Sequence, residues 1–151
     1  MTRREMIQLI MRWGFPYIIT SAFAEMYVRY GYASLCAGRP KSKELDECMS
    51  ELGHVSVEDV SFKAKHPNFG YCTFTLQKYV RVKDRKGRPY YRMFIFNEYG
   101  ELLDERGPFA EREVVSDMDK LMGRFMKFDE GVTTLAPNPK SEVKYITTSP
   151  A

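Results

Sequence analysis

Between Lys78 and Arg92 the chain carries seven cations, Lys78, Arg81, Lys83, Arg85, Lys86, Arg88 and Arg92, against a single acid, Asp84. Tyr79 and Tyr90 are interleaved with them. This combination has a defined chemistry. Lysine and arginine neutralise phosphate and release the counterions condensed on a nucleic-acid strand, while aromatic rings accept stacked bases at ~1–3 kcal/mol each. A strand places alternate residues on opposite faces. If Phe74, Leu76, Val80 and Val82 face the core, then Thr75, Gln77, Tyr79, Arg81 and Lys83 share the other side. Pairing with the next strand sets Tyr90, Arg92 and Phe94 beside them.

Other residues capable of chemistry form no comparable group. The two histidines, His54 and His66, stand far apart, one after a helix end and the other in an X-Pro turn, with no spacing that builds a metal site or an acid–base pair. Glu58 and Asp59, like Asp104 and Glu105, are neighbours, and neighbouring strand residues point to opposite faces. Glu142, Val143 and Lys144 have the E-x-K form of metal-dependent nucleases, with Asp129 or Glu130 as an upstream acid. That chemistry needs carboxylates fixed on rigid elements, and a tail rich in Pro and Thr does not supply them. The sequence contains no phosphate-cradling glycine loop and no G-x-S-x-G turn. Cys36, Cys48 and Cys72 are an odd number without C-x-x-C spacing, which suits neither a disulfide framework nor a zinc site and points to a reducing, cytoplasmic setting.

The elements that must position the basic segment follow from periodicity. Thr2 and Glu5 have capping-box spacing, so a helix is expected through about Trp13, closed by Gly14 with Pro16 beyond. A second helix is expected from Thr20 or Ser21 toward Tyr32. Ser42 caps a third, whose apolar residues Leu45, Cys48, Met49 and Leu52 fall at helical spacing before Gly53. From Val55 the period becomes two, with a change of phase at Glu58 and Asp59 that a β-bulge reconciles. A turn over 66–70, a strand from Tyr71 to Lys83, a tight turn from Asp84 to Gly87 and a strand from Tyr90 to Phe96 make a hairpin. A turn over Asn97 to Gly100 leads to a short strand, Glu101 to Glu105. Gly107 and Pro108 then open a last helix with Val114, Met118, Leu121 and Phe125 on its buried stripe.

The sheet-then-helix order from Tyr71 to Phe128 resembles, in topology, coactivator-type single-stranded DNA-binding domains. That resemblance implies a curved sheet ended by a helix and carries no residue roles. The helix, three-strand, helix order also invites comparison with double-stranded RNA-binding domains. Their basic cluster at the start of the last helix has no counterpart here, because Glu111 and Glu113 make that segment acidic.

At 151 residues, 44% apolar and 28% charged, the chain has the size and balance of one globular domain, and whole-chain disorder is excluded. The formal net charge of +3 conceals the local basic excess. Arg12, Glu25 and Arg29 interrupt the apolar stretch from Met6 to Leu35, leaving no run near the ~20 apolar residues that a membrane helix needs, and no secretion signal is read.

The sequence therefore predicts an α+β fold: an antiparallel three- to four-stranded sheet over about residues 55–105, with N-terminal helices and a C-terminal helix packed on it. One domain covers 1–130 and a flexible tail 131–151. The expected role is a non-enzymatic module that binds single-stranded DNA or RNA through Lys78, Tyr79, Arg81, Lys83, Arg85, Lys86, Arg88, Tyr90 and Arg92. The alternative is a small protein-binding inhibitor or adaptor, or a homo-oligomer, acting through the aromatic N-terminal residues Trp13, Phe15, Tyr17, Tyr27 and Tyr30. Neither reading calls for a catalytic residue, a metal, a cofactor or a membrane.

Overall fold

A computed structural model gives the structure of the protein and describes residues 2–30, 35–66 and 69–112. The first helix, α1 (Arg3–Arg12), begins as its spacing predicts: the Thr2 hydroxyl accepts the Glu5 N–H at 3.1 Å and donates to the Glu5 carboxylate at 3.2 Å. Its buried stripe is Met6, Ile7 and Ile10. The second helix, α2 (Tyr17–Tyr30), opens ahead of the expected start at Thr20 or Ser21. Pro16 explains the difference. It cannot continue a helix from before, and its carbonyl accepts the Thr20 N–H at 3.1 Å, so the first turn forms directly after it. The side chains of Arg3 and Glu25 form an ion pair that clips α1 to α2.

The chain next forms a two-residue strand, β1 (Cys36–Ala37), and then α3 (Lys43–Leu52). Ser42 caps α3 by accepting the Leu45 N–H at 3.3 Å, and Gly53 closes it in the left-handed conformation at φ 68°. Four long strands follow: β2 (His54–His66), β3 (Gly70–Arg81), β4 (Tyr90–Asn97) and β5 (Leu102–Ala110). The five strands form one antiparallel sheet in the order β1-β2-β3-β4-β5. The class is α+β as read from the sequence, with β1 and a longer β5 extending the sheet beyond the 55–105 span.

The phase change expected in β2 is present, and the register shifts between Ser56 and Glu58, so that Val57 is the extra residue. The bulge thus precedes the acidic pair by one position. Downstream of it Val60, Phe62 and Ala64 face α1 and α2, together with Leu76, Phe74 and Cys72 of β3 and Met93 and Ile95 of β4. Rings dominate this layer. Phe62 stacks on Phe74 with centroids 5.0 Å apart, Phe23 of α2 meets Phe62 at 5.1 Å, and Tyr27 meets it edge-on at 5.5 Å. The other side of the sheet is covered near β4 and β5 by α3, whose Leu45 and Met49 pack with Phe94, Phe96 and Leu102.

One expectation is overturned. Gly107 and Pro108 do not open a helix; they lie within β5, whose pairing continues as Tyr91 opposite Phe109 and Tyr90 opposite Ala110. Phe109 is fully buried in the helix-covered core, so continuing the strand gains a large apolar side chain that a helix start would forgo. Gly107, at φ 124°, absorbs the register shift between Tyr91 and Met93 and comes so close to β4 that an added Cβ would lie 2.9 Å from the Arg92 Cβ. Pro108 is exposed on the outermost strand of the described sheet, where a missing N–H is tolerated. The expected last helix beyond Glu113 and the tail at 131–151 lie outside the described residues.

Because Phe62 joins α2 to two strands, its truncation should be felt throughout the fold. Phe62→Ala is expected to lose about 3–5 kcal/mol of stability, measured by urea unfolding at equilibrium.

Candidate nucleic-acid interface

The register of β3 against β4 sets Thr75 opposite Phe94, Gln77 opposite Arg92 and Tyr79 opposite Tyr90. These six residues therefore lie on one face of the sheet, as alternation predicts. The face is not open. Tyr79 is 1% exposed and Arg92 0%, while Tyr90 is half-buried and Arg81 exposed. Only the outer part of the expected surface meets solvent.

Arg92 remains inside because its charge is met by other means than water. Its Nε donates to Gln77 Oε1 at 2.6 Å, and its guanidinium lies 4.2 Å from the Tyr79 ring centroid and 5.0 Å from that of Phe94. Ring quadrupoles and an amide oxygen replace part of the lost hydration. Gln77 in turn donates to the sulfur of Met49 on α3 at 3.5 Å. Nearby, Arg39 binds Asp59 at 3.1 Å and Asp46 at 3.0 Å, and the Ser61 and Thr75 hydroxyls share a hydrogen bond at 2.6 Å. These contacts join the turn before α3, the helix itself and the centre of the sheet.

Lys78 belongs to the other face, opposite Tyr91, and its Nζ donates to the Gly14 carbonyl at 3.0 Å. It thus secures the end of α1 to the sheet and stands apart from Arg81. The remaining cations, Lys83, Arg85, Lys86 and Arg88, are exposed at the hairpin turn, which closes through Asp84 N–H to the Arg81 carbonyl at 3.0 Å and Gly87 N–H to the Asp84 carbonyl at 3.1 Å. The Asp84 carboxylate folds over Gly87, where a Cβ would collide with it. Among the described residues, no ion pair involves Arg81, Lys83, Arg85, Lys86 or Arg88. Arg3, Arg39 and Arg106, by contrast, each hold a carboxylate.

The N-terminal aromatic group divides in a similar way. Phe15 is 3% exposed and its ring lies 6.1 Å from that of Tyr91, so it is a core residue and not a surface one. Trp13 and Tyr27 pack partly against the same core, and Tyr17 is 55% exposed. The side chain of Tyr30 lies outside the described residues.

His54 is the residue that sequence reasoning undervalued. As the first residue of β2 it lies opposite Arg81, and its ring stacks on Tyr79 at 4.6 Å. The signal was available in the alternation, because His54 and Ser56 share a phase upstream of the bulge. His66 is 2% exposed against Phe69, and burial lowers its pKa from 6.5 to about 4. Asp104 is also buried. The loss of water around it raises its pKa from 3.8 to about 6, with the 2.8 Å contact from Arg106 opposing the shift. Burial pushes the Cys72 thiol up to about 12, so it is not a thiolate at neutral pH. Among the described residues, no group of three or more His, Cys, Asp or Glu side chains is arranged to hold a metal, and no helix is long and apolar enough to cross a membrane. Glu142, Lys144, Asp129 and Glu130 lie outside the described residues. No protein-family model, curated protein or solved structure matches the chain.

His66 and Asp104 make opposite contributions to stability in acid. The folded pKa of His66 lies below its unfolded value, so the unfolded chain binds more protons and stability falls as the pH drops from 6.5 to about 4. For Asp104 the folded value lies above the unfolded one, and stability rises as the pH drops from about 6 to 3.8. Measured as unfolding free energy against pH relative to the parent, His66→Gln should gain stability on acidification through its window, whereas Asp104→Asn should lose it through the other.

Proposed function

We propose that this protein binds the backbone of single-stranded DNA or RNA through the outer end of the β3–β4 hairpin and acts by binding alone. The observation that carries this reading is the set of five exposed cations, Arg81, Lys83, Arg85, Lys86 and Arg88, without ion pairs among the described residues. Surface cations ordinarily sit among acids, and a cluster left unneutralised repels itself at a cost that a polyanion relieves. Asp84, the one acid between Lys78 and Arg92 in the sequence, is folded over its own turn.

The burial of Tyr79 and Arg92 changes the expected mechanism. Bases do not reach a ring that is 1% exposed, so stacking along the whole hairpin gives way to phosphate contact at its end, with Tyr90 and Arg81 as the outermost members of the row that begins at Tyr79. Tyr79, Gln77 and Arg92 then act as the rigid support from which the turn projects. Affinity of this kind is largely independent of sequence and sensitive to salt.

Each phosphate contact on a single strand contributes about −0.7 to the slope of log affinity against log salt. Replacing Arg81, Arg85 and Arg88 together with glutamate should therefore flatten that slope by roughly 2 units and abolish binding at moderate salt. Fluorescence anisotropy with labelled oligonucleotides gives both quantities, and circular dichroism confirms that the exposed replacements leave the fold intact. An unchanged affinity and slope would rule the proposal out.

A further inference from the structure

Phosphate contact alone does not separate an unpaired strand from a duplex, but the rings behind the hairpin turn supply a means of doing so. His54, Tyr79 and Tyr90 form a stack across three strands: His54 on Tyr79 at 4.6 Å and 28°, and Tyr79 beside Tyr90 at 5.8 Å and 25°. The guanidinium of Arg81 continues it outward, 5.0 Å from the Tyr90 centroid, and that of Arg92 bounds it inward, 4.2 Å from Tyr79. Exposure grades along the same line, from Arg92 at 0% and Tyr79 at 1%, through half-buried Tyr90, to exposed Arg81.

We infer that the guanidinium of Arg81, held against Tyr90, is a stacking platform for one unpaired base and gives the hairpin its preference for single strands. This inference rests on the proposed binding of nucleic acid and assigns its selectivity to one side chain. Guanidinium is planar and weakly hydrated, so it stacks on rings and on bases with its faces while the N–H groups at its edge donate to phosphate. The Tyr90 ring lies 5.0 Å from the Arg81 guanidinium carbon and restrains that side chain before any ligand arrives, which lowers the ordering cost of binding. The other side meets solvent. A base within a duplex has both faces taken by its neighbours and cannot use it, whereas an unpaired base has a free face.

Arg85 and Arg88 serve as internal controls, because among the described residues no aromatic ring underlies either of them. They supply charge without a fixed plane. Arg81 is exposed, so lysine at that position keeps the charge, removes the plane and leaves the core untouched.

The test compares three labelled probes of equal length: single-stranded oligothymidine, an abasic strand with the same phosphates, and a duplex. The parent protein should prefer oligothymidine to the abasic strand by on the order of tenfold. Arg81→Lys should erase that ratio, bringing oligothymidine affinity down to that of the abasic strand. Tyr90→Leu, which keeps an apolar group at the half-buried position, should do the same, and Arg85→Lys should leave the ratio unchanged. If Arg81→Lys retains the parent ratio, the platform is overturned and the backbone contact stands. If the parent binds none of the three at low salt, the proposed binding of nucleic acid falls, and the platform with it.

Discussion

The pairing of Gln77 with Arg92 fixes much else in this protein. Because side chains alternate along a strand, a slip of one residue between β3 and β4 would turn Phe74 and Leu76 out of the helix-covered core and place Lys78 where Gln77 now receives the guanidinium. The register is therefore held from both sides of the sheet. Phe62, Phe74 and the rings of α2 hold it on one, and the contacts of Arg92 with Gln77, Tyr79 and Phe94 hold it on the other. A buried cation is a costly way to fix a register, and replacing such groups with apolar ones is often no less stable. Here it also aligns the rings that lead to the hairpin turn.

The same pairing separates cations that look alike in the sequence. Lys78, Arg81 and Arg92 fall within fifteen residues, from 78 to 92, and have three different surroundings. Lys78 secures the loop after α1, Arg92 is enclosed, and of the three only Arg81 is exposed, beside the Tyr90 ring. Charge content along a segment thus states how much positive potential is available locally. The fold decides which of those charges a ligand can meet.

Much of the architecture was legible in the amino-acid pattern because the signals were local. Thr2, Ser42 and Gly53 mark helix ends through single hydrogen bonds or one backbone conformation, and the period-two runs of β2 and β3 show their faces directly. The α2 start is not legible in this way, because Thr20 and Ser21 look like caps while Pro16 sets the first turn. The course of β5 is hidden because Gly107 and Pro108 have the form of a helix start, whereas the burial of Phe109 and the pairing of Tyr90 with Ala110 keep the chain in the sheet. The candidate site was legible as composition and as a shared face, but not as exposure. Whether a side chain such as Tyr79 is covered depends on residues remote in sequence, His54 among them, and alternation within one strand does not contain that information.

The two ends of the β4 pairing differ sharply in what they can accommodate. At Gly107 the backbones of β4 and β5 approach too closely for any side chain, so this point works as a spacer gauge for the sheet. The turn at residues 83–88 is closed by two backbone hydrogen bonds of its own, and all but Gly87 of its residues are exposed. Length and charge can therefore change in the turn while the spacing set at Gly107 stays constant.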